Sequence, residues 1–272
     1  MKHKFNSLIY FVFAFVAIPA WAQTKNDNMS KCESGDQLSC SALIQSGKET
    51  TESQSVIYYD RGNSYREKGL YDQAIADYSK AITLNPNYAK AYNNRASSYN
   101  HKGLYDQAIA DYSKAITLKP DFVDAYYNLG IAYNHKGSFD QAIADFTKVI
   151  ELKPDFGQTY NNRGNAYDMK KLYSQAIADY TKAIELKPDD SKAYNNRAWA
   201  YHEKGEDAKG LPDAKKAVEL EPKDGHIIET RAEIYEKLGQ RDIAVADYRA
   251  ALKFEPNMKS AGEGLKRLGA VP

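Results

Sequence analysis

The chain has 272 residues, of which 43% are hydrophobic, so it is long enough to bury a sizeable core. Its 37 Lys and Arg nearly balance its 36 Asp and Glu, which argues against a basic nucleic-acid binder or a polybasic membrane-surface protein. Two cysteines are too few for a disulfide-based scaffold.

The N-terminus is typical of a secretory signal. Lys2 and Lys4 precede an apolar run over residues 8–18, and small residues occupy the two positions that a signal peptidase reads. We expect a signal peptide over residues 1–22, cleaved after Ala22, and a periplasmic or secreted mature protein without a membrane span. A membrane anchor is the alternative interpretation, although the run is well short of the roughly 20 apolar residues that a span needs.

Residues 23–54 form a leader that is less regular than the rest of the chain. We expect a short helix here, together with the two cysteines, Cys32 and Cys40. Residues 23–30 are polar and terminal, so we predict that they are disordered. Residues 47–53 are predicted to be a short linker.

Prolines recur after the leader with a constant spacing of 34 residues. Such a period is the signature of a stacked repeat. The prolines are Pro86, Pro120, Pro154, Pro188, Pro222 and Pro256. Taking each as position 32 defines six repeats, which are residues 55–88, 89–122, 123–156, 157–190, 191–224 and 225–258.

Each repeat has the pattern of two helices joined by a turn. In the first repeat Tyr58, Gly62 and Tyr65 recur at spacings of four and three, which is one face of a helix. Gly69 is predicted to end that helix, and Asp72 is predicted to cap the next one. Tyr at position 11 and a small residue at position 8 recur in all six repeats. Stacked pairs can bury the apolar faces that one pair leaves exposed.

The fifth repeat departs from this pattern in its second helix. Gly210 stands at position 20, where the other repeats have Ala, and Pro212 follows two residues later. Because Pro is tolerated in the first turn of a helix, we expect this helix to begin late, near Leu211 or Pro212. The departure is interpreted as ordinary drift, with a hinge as the alternative.

The chain ends in a segment that is predicted to cap the stack. Residues 259–269 have the pattern of a helix that directs Leu265 and Leu268 inward and Lys266 and Arg267 outward. Residues 259–272 are therefore interpreted as a C-terminal capping helix.

The repeated signature resembles the tetratricopeptide repeat, a helix–turn–helix unit of 34 residues, and the resemblance covers residues 55–258. It implies an all-α, right-handed superhelical solenoid of six units plus the capping helix. It also implies that the first helices line a concave face on which ligands bind.

The leader carries a second, shorter resemblance. Cys32 and Cys40 bracket seven residues, and this spacing is similar to the SEL-like cysteine-rich secreted repeat proteins. That resemblance implies a Cys32–Cys40 disulfide, and the presence of two cysteines in an exported chain favours it independently. Two free cysteines in a floppy leader are the alternative.

The tetratricopeptide resemblance places ligands on positions 2, 5, 9, 12 and 13 of each repeat. These positions are rich in Asn and aromatic residues, which offer donors, acceptors and flat apolar surface to an extended peptide. The candidate groove residues are Tyr59, Asn63, Asn93, Asn100, Tyr127, Asn134, Asn161, Asn165, Asn195 and Trp199. A structural role for the asparagines is the alternative interpretation.

Arg and Asp recur in the same phase. Five repeats carry Arg at position 7, and all six carry Asp at position 23; the third repeat has Leu129 in place of the Arg. One interpretation is a basic stripe for an acidic ligand. The favoured interpretation is a series of Arg–Asp pairs between packed helices, since the forked guanidinium suits a carboxylate.

The sequence contains no catalytic, phosphate-binding or zinc-protease motif, and we expect no enzyme activity, no cofactor and no metal site. A metal at His101 and His135 is the weaker alternative. We therefore predict a protein–protein interaction adaptor or scaffold of the bacterial envelope or secreted space, which binds a peptide or protein segment and no nucleic acid. A structural solenoid that self-associates through its terminal repeats is the alternative.

Overall fold

The structure is a computed structural model that describes residues 20–271, so the predicted signal peptide lies almost entirely outside the described residues. Residues 20–271 contain fifteen helices and no strand, which confirms the all-α class. The helices are α1 (Ala20–Glu33), α2 (Gln37–Ser46), α3 (Thr51–Glu67), α4 (Tyr71–Leu84), α5 (Ala89–His101), α6 (Tyr105–Leu118), α7 (Val123–Lys136), α8 (Phe139–Leu152), α9 (Gly157–Met169), α10 (Tyr173–Leu186), α11 (Ser191–Glu203), α12 (Asp207–Leu220), α13 (Gly225–Lys237), α14 (Arg241–Phe254) and α15 (Lys259–Arg267).

The chain divides after Pro86 into two compact units, the first containing α1–α4 and the second α5–α15. Within the described part of the chain, no helix combines the length and apolar character that crossing a bilayer requires.

In the first unit, a disulfide joins the two helices of the leader. Cys32 at the end of α1 and Cys40 in α2 are bonded to each other, as the sequence predicts. Both are fully buried in a small core with Leu43 and Ile57, and Ile57 lies on α3. The expectation of disorder over residues 23–30 is wrong, because α1 runs through them. This helix contacts both α2 and α3, so tertiary packing orders a polar segment.

The two leader helices pair with each other and contact α3. Arg61 of α3 donates from Nη1 to Ser41 Oγ of α2, at 3.1 Å. The predicted linker is also shorter than expected, since α3 begins at Thr51 with Thr50 as its N-cap. The leader thus forms an additional helix pair that packs against α3, rather than a disordered segment.

The second unit is a solenoid of helix pairs. Each second helix contacts its own first helix and the helix that follows it in the chain, which is the first helix of the next repeat or, for α14, the capping helix α15. The first helices α5, α7, α9, α11 and α13 also contact one another in sequence, and therefore form one continuous layer. The helix α15 closes this unit, burying Ala261, Gly264 and Leu265 against the core of the last repeat.

Within a repeat, a large ring from the second helix enters a space left by a small residue on the first. Tyr180 at position 24 is 1% exposed, and a Cβ built on Gly164 at position 8 would come within 2.6 Å of its ring. Phe146 and Gly130 show the same arrangement in the third repeat. The small residues at position 8 are thus required by close packing.

The turn between the helices uses the left-handed conformation. Gly69 has φ +72°, as predicted, and in the fourth repeat Lys171 adopts φ 59° in place of a glycine. The predicted capping role of Asp72 is wrong: α4 begins at Tyr71, so Asp72 already lies inside the helix, and the N-cap Leu70 makes no side-chain hydrogen bond. Asp72 instead lies in the first turn, where its negative charge favours the helix dipole.

The expected late start of the second helix in the fifth repeat is also wrong. The helix α12 begins at Asp207, well before Pro212, and has the same 14-residue length as the other second helices of the repeats. The missing side chain at Gly210 allows the close approach, because a Cβ there would lie 2.9 Å from the Ala198 carbonyl oxygen. Packing against α11 therefore overrides the local preference of the proline.

Arg at position 7 and Asp at position 23 join the two helices of a repeat by a forked pair of hydrogen bonds. The Nε–Oδ2 distances in the five pairs are 2.6 to 2.8 Å. The pairs are Arg61–Asp77, Arg95–Asp111, Arg163–Asp179, Arg197–Asp213 and Arg231–Asp247. The guanidiniums of the first, second and fourth repeats also lie over the rings at positions 4 and 11, at 5.6 to 5.9 Å. The favoured interpretation of the Arg–Asp pattern is correct.

The third repeat keeps the Asp at position 23, which is Asp145, but has Leu129 instead of Arg at position 7. Leu129 is 5% exposed and packs with Ala96, Ala108 and Tyr112. Asp145 is left without its guanidinium, and burial raises the pKa of its carboxyl from 3.8 to about 7. This repeat therefore carries a carboxylate that costs stability when it ionises.

We expect Asp145→Asn to raise the free energy of unfolding at about pH 8 and to change it little at about pH 4. Because the pKa of Asp145 is raised on folding, its contribution to stability is full below about pH 4 and falls as the pH rises toward about 7. Urea unfolding at several pH values measures the effect.

The matched control is Asp179→Asn, which leaves the buried guanidinium of Arg163 without its carboxylate. This change should lower the free energy of unfolding by roughly 1–3 kcal/mol. A loss of stability in Asp145→Asn at alkaline pH would contradict the account given for the third repeat.

Candidate peptide-binding groove

We use the term groove face for positions 2, 5, 9, 12 and 13 of the first helices α5, α7, α9, α11 and α13. All five helices belong to the second unit and lie in one layer. Of the ten candidate residues, eight lie on this face, whereas Tyr59 and Asn63 lie in the first unit.

In the first unit, the two candidates contact the second helix of their own repeat. Asn63 Oδ1 accepts a hydrogen bond of 2.8 Å from the hydroxyl of Tyr78, and the ring of Tyr59 lies 5.9 Å from that of Tyr78. Since Tyr78 is fully buried, these contacts fix the packing of α3 on α4.

The aromatic candidates on the groove face are half-buried. The ring of Tyr127 lies 4.9 Å from that of Phe156, and its hydroxyl accepts a 3.0 Å hydrogen bond from Asn162 Nδ2. Burial is the larger influence on Tyr127 and raises the pKa of its phenol. Trp199 lies 5.2 Å from the ring of His202, whose Nδ1 is 2.5 Å from Asp207 Oδ1. These rings provide flat surface in fixed orientations.

Two of the asparagines take part in a hydrogen-bond network between repeats. Asn196 Nδ2 donates to Asn161 Oδ1 at 3.2 Å and to Asn165 Oδ1 at 3.0 Å. The hydroxyl of Tyr180 donates to the same Asn165 oxygen at 2.7 Å. The acceptor oxygens of Asn161 and Asn165 are therefore engaged within the protein, as the structural interpretation of the asparagines predicts.

A second set of groove residues has acceptor oxygens that are covered and have no hydrogen-bond partner. Each of the five first helices carries at least one such oxygen, at position 5 or position 12, which are seven residues apart on the same helix face. The oxygens belong to Asn93, Asn100, Asn134, Asp168, Asn195 and Glu229. Four of these residues are candidates from the sequence, and Asp168 and Glu229 are not.

Apart from the exposed Asp124 at position 2 of the third repeat, the carboxylates of the groove face lie in the last three repeats, and several of them influence one another. Burial, and then the neighbouring Glu203, raises the pKa of Asp168 from 3.8 to about 6. Burial, and then Glu229, raises the pKa of Glu233. Glu236 differs, because its hydrogen bonds with Arg267 hold its pKa low.

The candidates predicted from the sequence include no residue of the sixth repeat, although Glu229, Glu233 and Glu236 make its groove positions acidic. Comparing the residue at one position across the repeats would have found these acids. Position 12 is Asn in the second and third repeats, at Asn100 and Asn134, and is an acid in the fourth, at Asp168. Position 5 changes in the same way at Glu229.

A cavity of about 290 Å³ lies at the C-terminal end of the groove face. His202, Glu233, Glu236, Lys237 and Arg267 line it. The described residues contain no group of three or more His, Cys, Asp or Glu side chains placed to hold a metal ion.

Comparison with known proteins defines the class to which this fold and face belong. A TPR repeat model matches residues 62–103 and 96–137, and a tetratricopeptide repeat model matches residues 123–156 and 157–190. Two further tetratricopeptide repeat models match residues 179–211 and 227–258. The chain therefore belongs to the tetratricopeptide repeat family. A comparison with curated proteins gives no match.

Several solved structures resemble the chain. The MamA protein is 32% identical, with a TM-score of 0.59, and the match covers 62% of this chain and 93% of that one. A tetratricopeptide repeat protein from Parabacteroides merdae ATCC 43184 is 21% identical, with a TM-score of 0.66, and the match covers 91% and 99% of the two chains. YrrB, described as a TPR protein with an unusual peptide-binding site, is 22% identical, with a TM-score of 0.58 and coverage of 70% and 97%.

The family assignment supports a general protein-binding role, and proteins of this family are generally non-enzymatic adaptors. The two matches below 25% identity show the fold alone. The particular ligand must therefore be sought in the residues of the groove face itself.

We expect Glu203→Gln to lower the pKa of Asp168, since the change removes a nearby negative charge. The pKa should stay above its ordinary 3.8, because burial is the larger cause. Titration of the carboxyl carbons by NMR measures it directly.

The control for this titration is Glu185→Gln, which removes an exposed carboxylate that pairs with Lys182 on α10. It should leave the pKa of Asp168 unchanged. An Asp168 carboxyl that titrates identically in the native protein and in Glu203→Gln would refute the coupling.

Proposed function

We propose that the chain is a protein–protein interaction adaptor that holds an extended peptide or protein segment along the groove face. The observation that carries the proposal is the row of covered oxygens without a partner on all five first helices of the second unit. A buried acceptor without a donor costs roughly 1–3 kcal/mol, so a ligand that supplies donors recovers that loss. The half-buried rings of Tyr127 and Trp199 add apolar contact surface for the same segment.

The edge of the face gives such a segment access. Met169 at position 13 is 63% exposed, and Gln158 at position 2 is exposed on the same helix. The oxygens at positions 5 and 12 lie between these exposed positions along α9. The likeness in fold to YrrB, a TPR protein with an unusual peptide-binding site, supports the same use of this chain.

We place this adaptor in the bacterial envelope or the secreted space. The signal-like N-terminus supports this location, and the Cys32–Cys40 disulfide is of the kind that persists in an oxidising compartment. Self-association remains the competing proposal for the use of the same solenoid.

Site-specific photo-crosslinking tests the groove. A photoreactive phenylalanine analogue is placed at Gln158 or at Met169 in the full chain, expressed in the source cells and activated by light. We expect both positions to yield the same crosslinked partner, because both lie on the groove face of α9.

The matched controls place the same analogue at Glu151 and at Glu185, which are exposed on the second helices α8 and α10. A partner that crosslinks only from these control positions would overturn the groove assignment. Crosslinks to further copies of the same chain, with concentration-dependent sedimentation, would favour the self-associating solenoid.

For the location, we expect the mature protein recovered from the periplasm or the culture medium to begin at Gln23. N-terminal sequencing and mass measurement of the protein from each cell fraction decide this. Recovery of the uncleaved chain from the membrane fraction alone would instead indicate an anchor.

A further inference from the structure

The groove oxygens without a partner share one chemical property: each belongs to an amide carbonyl or a carboxylate and therefore accepts hydrogen bonds. They extend over five successive first helices. At a spacing of about 10 Å between packed helices, the row measures about 40 Å. A ligand that satisfies them all must carry donors along its length.

For several of these side chains the structure defines that the atom without a partner is an oxygen and not an amide nitrogen. Asn93 is only 7% exposed, and its Nδ2 donates to Asn94 Oδ1 at 3.0 Å, which leaves Oδ1 as its unpartnered atom. Asp168 and Glu229 have no amide to reverse, because an ionised carboxylate only accepts. The side chain of Glu229 is 13% exposed, so its unpartnered oxygen lies well below the surface.

The charge on the face changes along the row. In repeats two, three and five the unpartnered groups are neutral asparagines, whereas repeat four carries Asp168 and repeat six carries Glu229 and Glu233. None of these three carboxylates forms a hydrogen bond or ion pair with a Lys or Arg among the described residues. Glu229 Oε2 lies 3.9 Å from Nδ1 of His226, a largely exposed imidazole that carries charge only when it is protonated.

The cations near these carboxylates are few and partly engaged. Arg267 is bonded to Glu236 and to the hydroxyl of Tyr248. Lys192 and Lys237 are exposed at positions 2 and 13 of the fifth and sixth repeats. His202 contacts Asp207, and this acid offsets any charge that the ring acquires. A negative, partly desolvated surface therefore remains around Asp168, Glu229 and Glu233.

We infer that the ligand of the groove face is an extended, cationic protein segment, whose N–H donors meet the asparagines of repeats two and three and whose Lys or Arg side chains meet Asp168, Glu229 and Glu233. This inference rests on the proposed function and specifies its ligand. Arg suits the site particularly well, because its five donors can serve a carboxylate and a neighbouring amide oxygen together. The same charge distribution disfavours an acidic peptide.

The test uses the mature chain and a fluorescein-labelled peptide of about twelve residues, alternating Arg and Ser, which spans about 40 Å when extended. One comparison peptide replaces Arg with Glu. Another replaces Arg with citrulline, which keeps N–H donors and removes the charge. By fluorescence anisotropy we expect the Arg peptide to bind at least about tenfold more tightly than the citrulline peptide, and the Glu peptide to bind weakest.

The groove variant combines Asp168→Asn, Glu229→Gln and Glu233→Gln, and it should weaken binding of the Arg peptide by about tenfold or more. The control variant combines Glu151→Gln, Glu185→Gln and Glu219→Gln. It removes the same number of charges from exposed ion pairs on the second helices. Its effect should stay below about twofold, since exposed charges are screened. Circular dichroism confirms that both variants keep their helical content.

The outcomes separate this inference from the proposed function. An equal loss in both variants would mean that net charge alone attracts the peptide, and a Glu peptide that binds as well as the Arg peptide would overturn the inference. If no Arg peptide binds although Met169 crosslinks a partner, the ligand chemistry is wrong and the groove function stands. If neither binding nor groove crosslinking occurs, both fail.

Discussion

The forked Arg–Asp pair between the two helices of a repeat is the constraint on which the rest of the structure depends. It joins position 7 of the first helix to position 23 of the second, beside the small residue and the ring at positions 8 and 24. These contacts occupy the side of the first helix that faces its partner. Positions 5, 9 and 12 lie beside these contacts, and five successive helices bring them into one row.

Much of this arrangement could be predicted from the sequence, because a packing contact that every repeat makes requires the same residue type at the same position of each repeat. The proline phase, the small residue at position 8 and the Arg–Asp pattern each correspond to a contact within a repeat. Features that depend on one particular neighbour were predicted wrongly. The leader is helical because α3 supports it, and α12 begins before Pro212 because Gly210 lets it approach α11. Neither contact can be predicted from the helix propensity of the local sequence.

The candidate site was predictable in its position more than in its chemistry. Asparagines at neighbouring groove positions look identical in the sequence, yet Asn165 is bonded inside the protein and Asn195 has an oxygen without a partner. The difference becomes visible only in the structure, where Tyr180 and Asn196 donate hydrogen bonds to Asn165. The acids Asp168 and Glu229 were not among the candidates, because positions 12 and 5 carry different residue types in different repeats and a consensus over six repeats hides such differences.

The substitution of Leu129 in the third repeat has a mechanical consequence for the stack. In the fourth and fifth repeats the arginine also donates to a threonine of the preceding repeat, as Arg163 does to Thr147 and Arg197 to Thr181. These bonds resist rotation of one repeat on the next, since hydrogen bonds are directional. Leu129 meets its neighbours through apolar contact, which has no preferred direction. The joint between the second and third repeats therefore has no arginine bond of this kind and is held by apolar packing and by the exposed Lys136–Asp106 pair, so rotation there is less restricted than at the two joints that have the arginine bond.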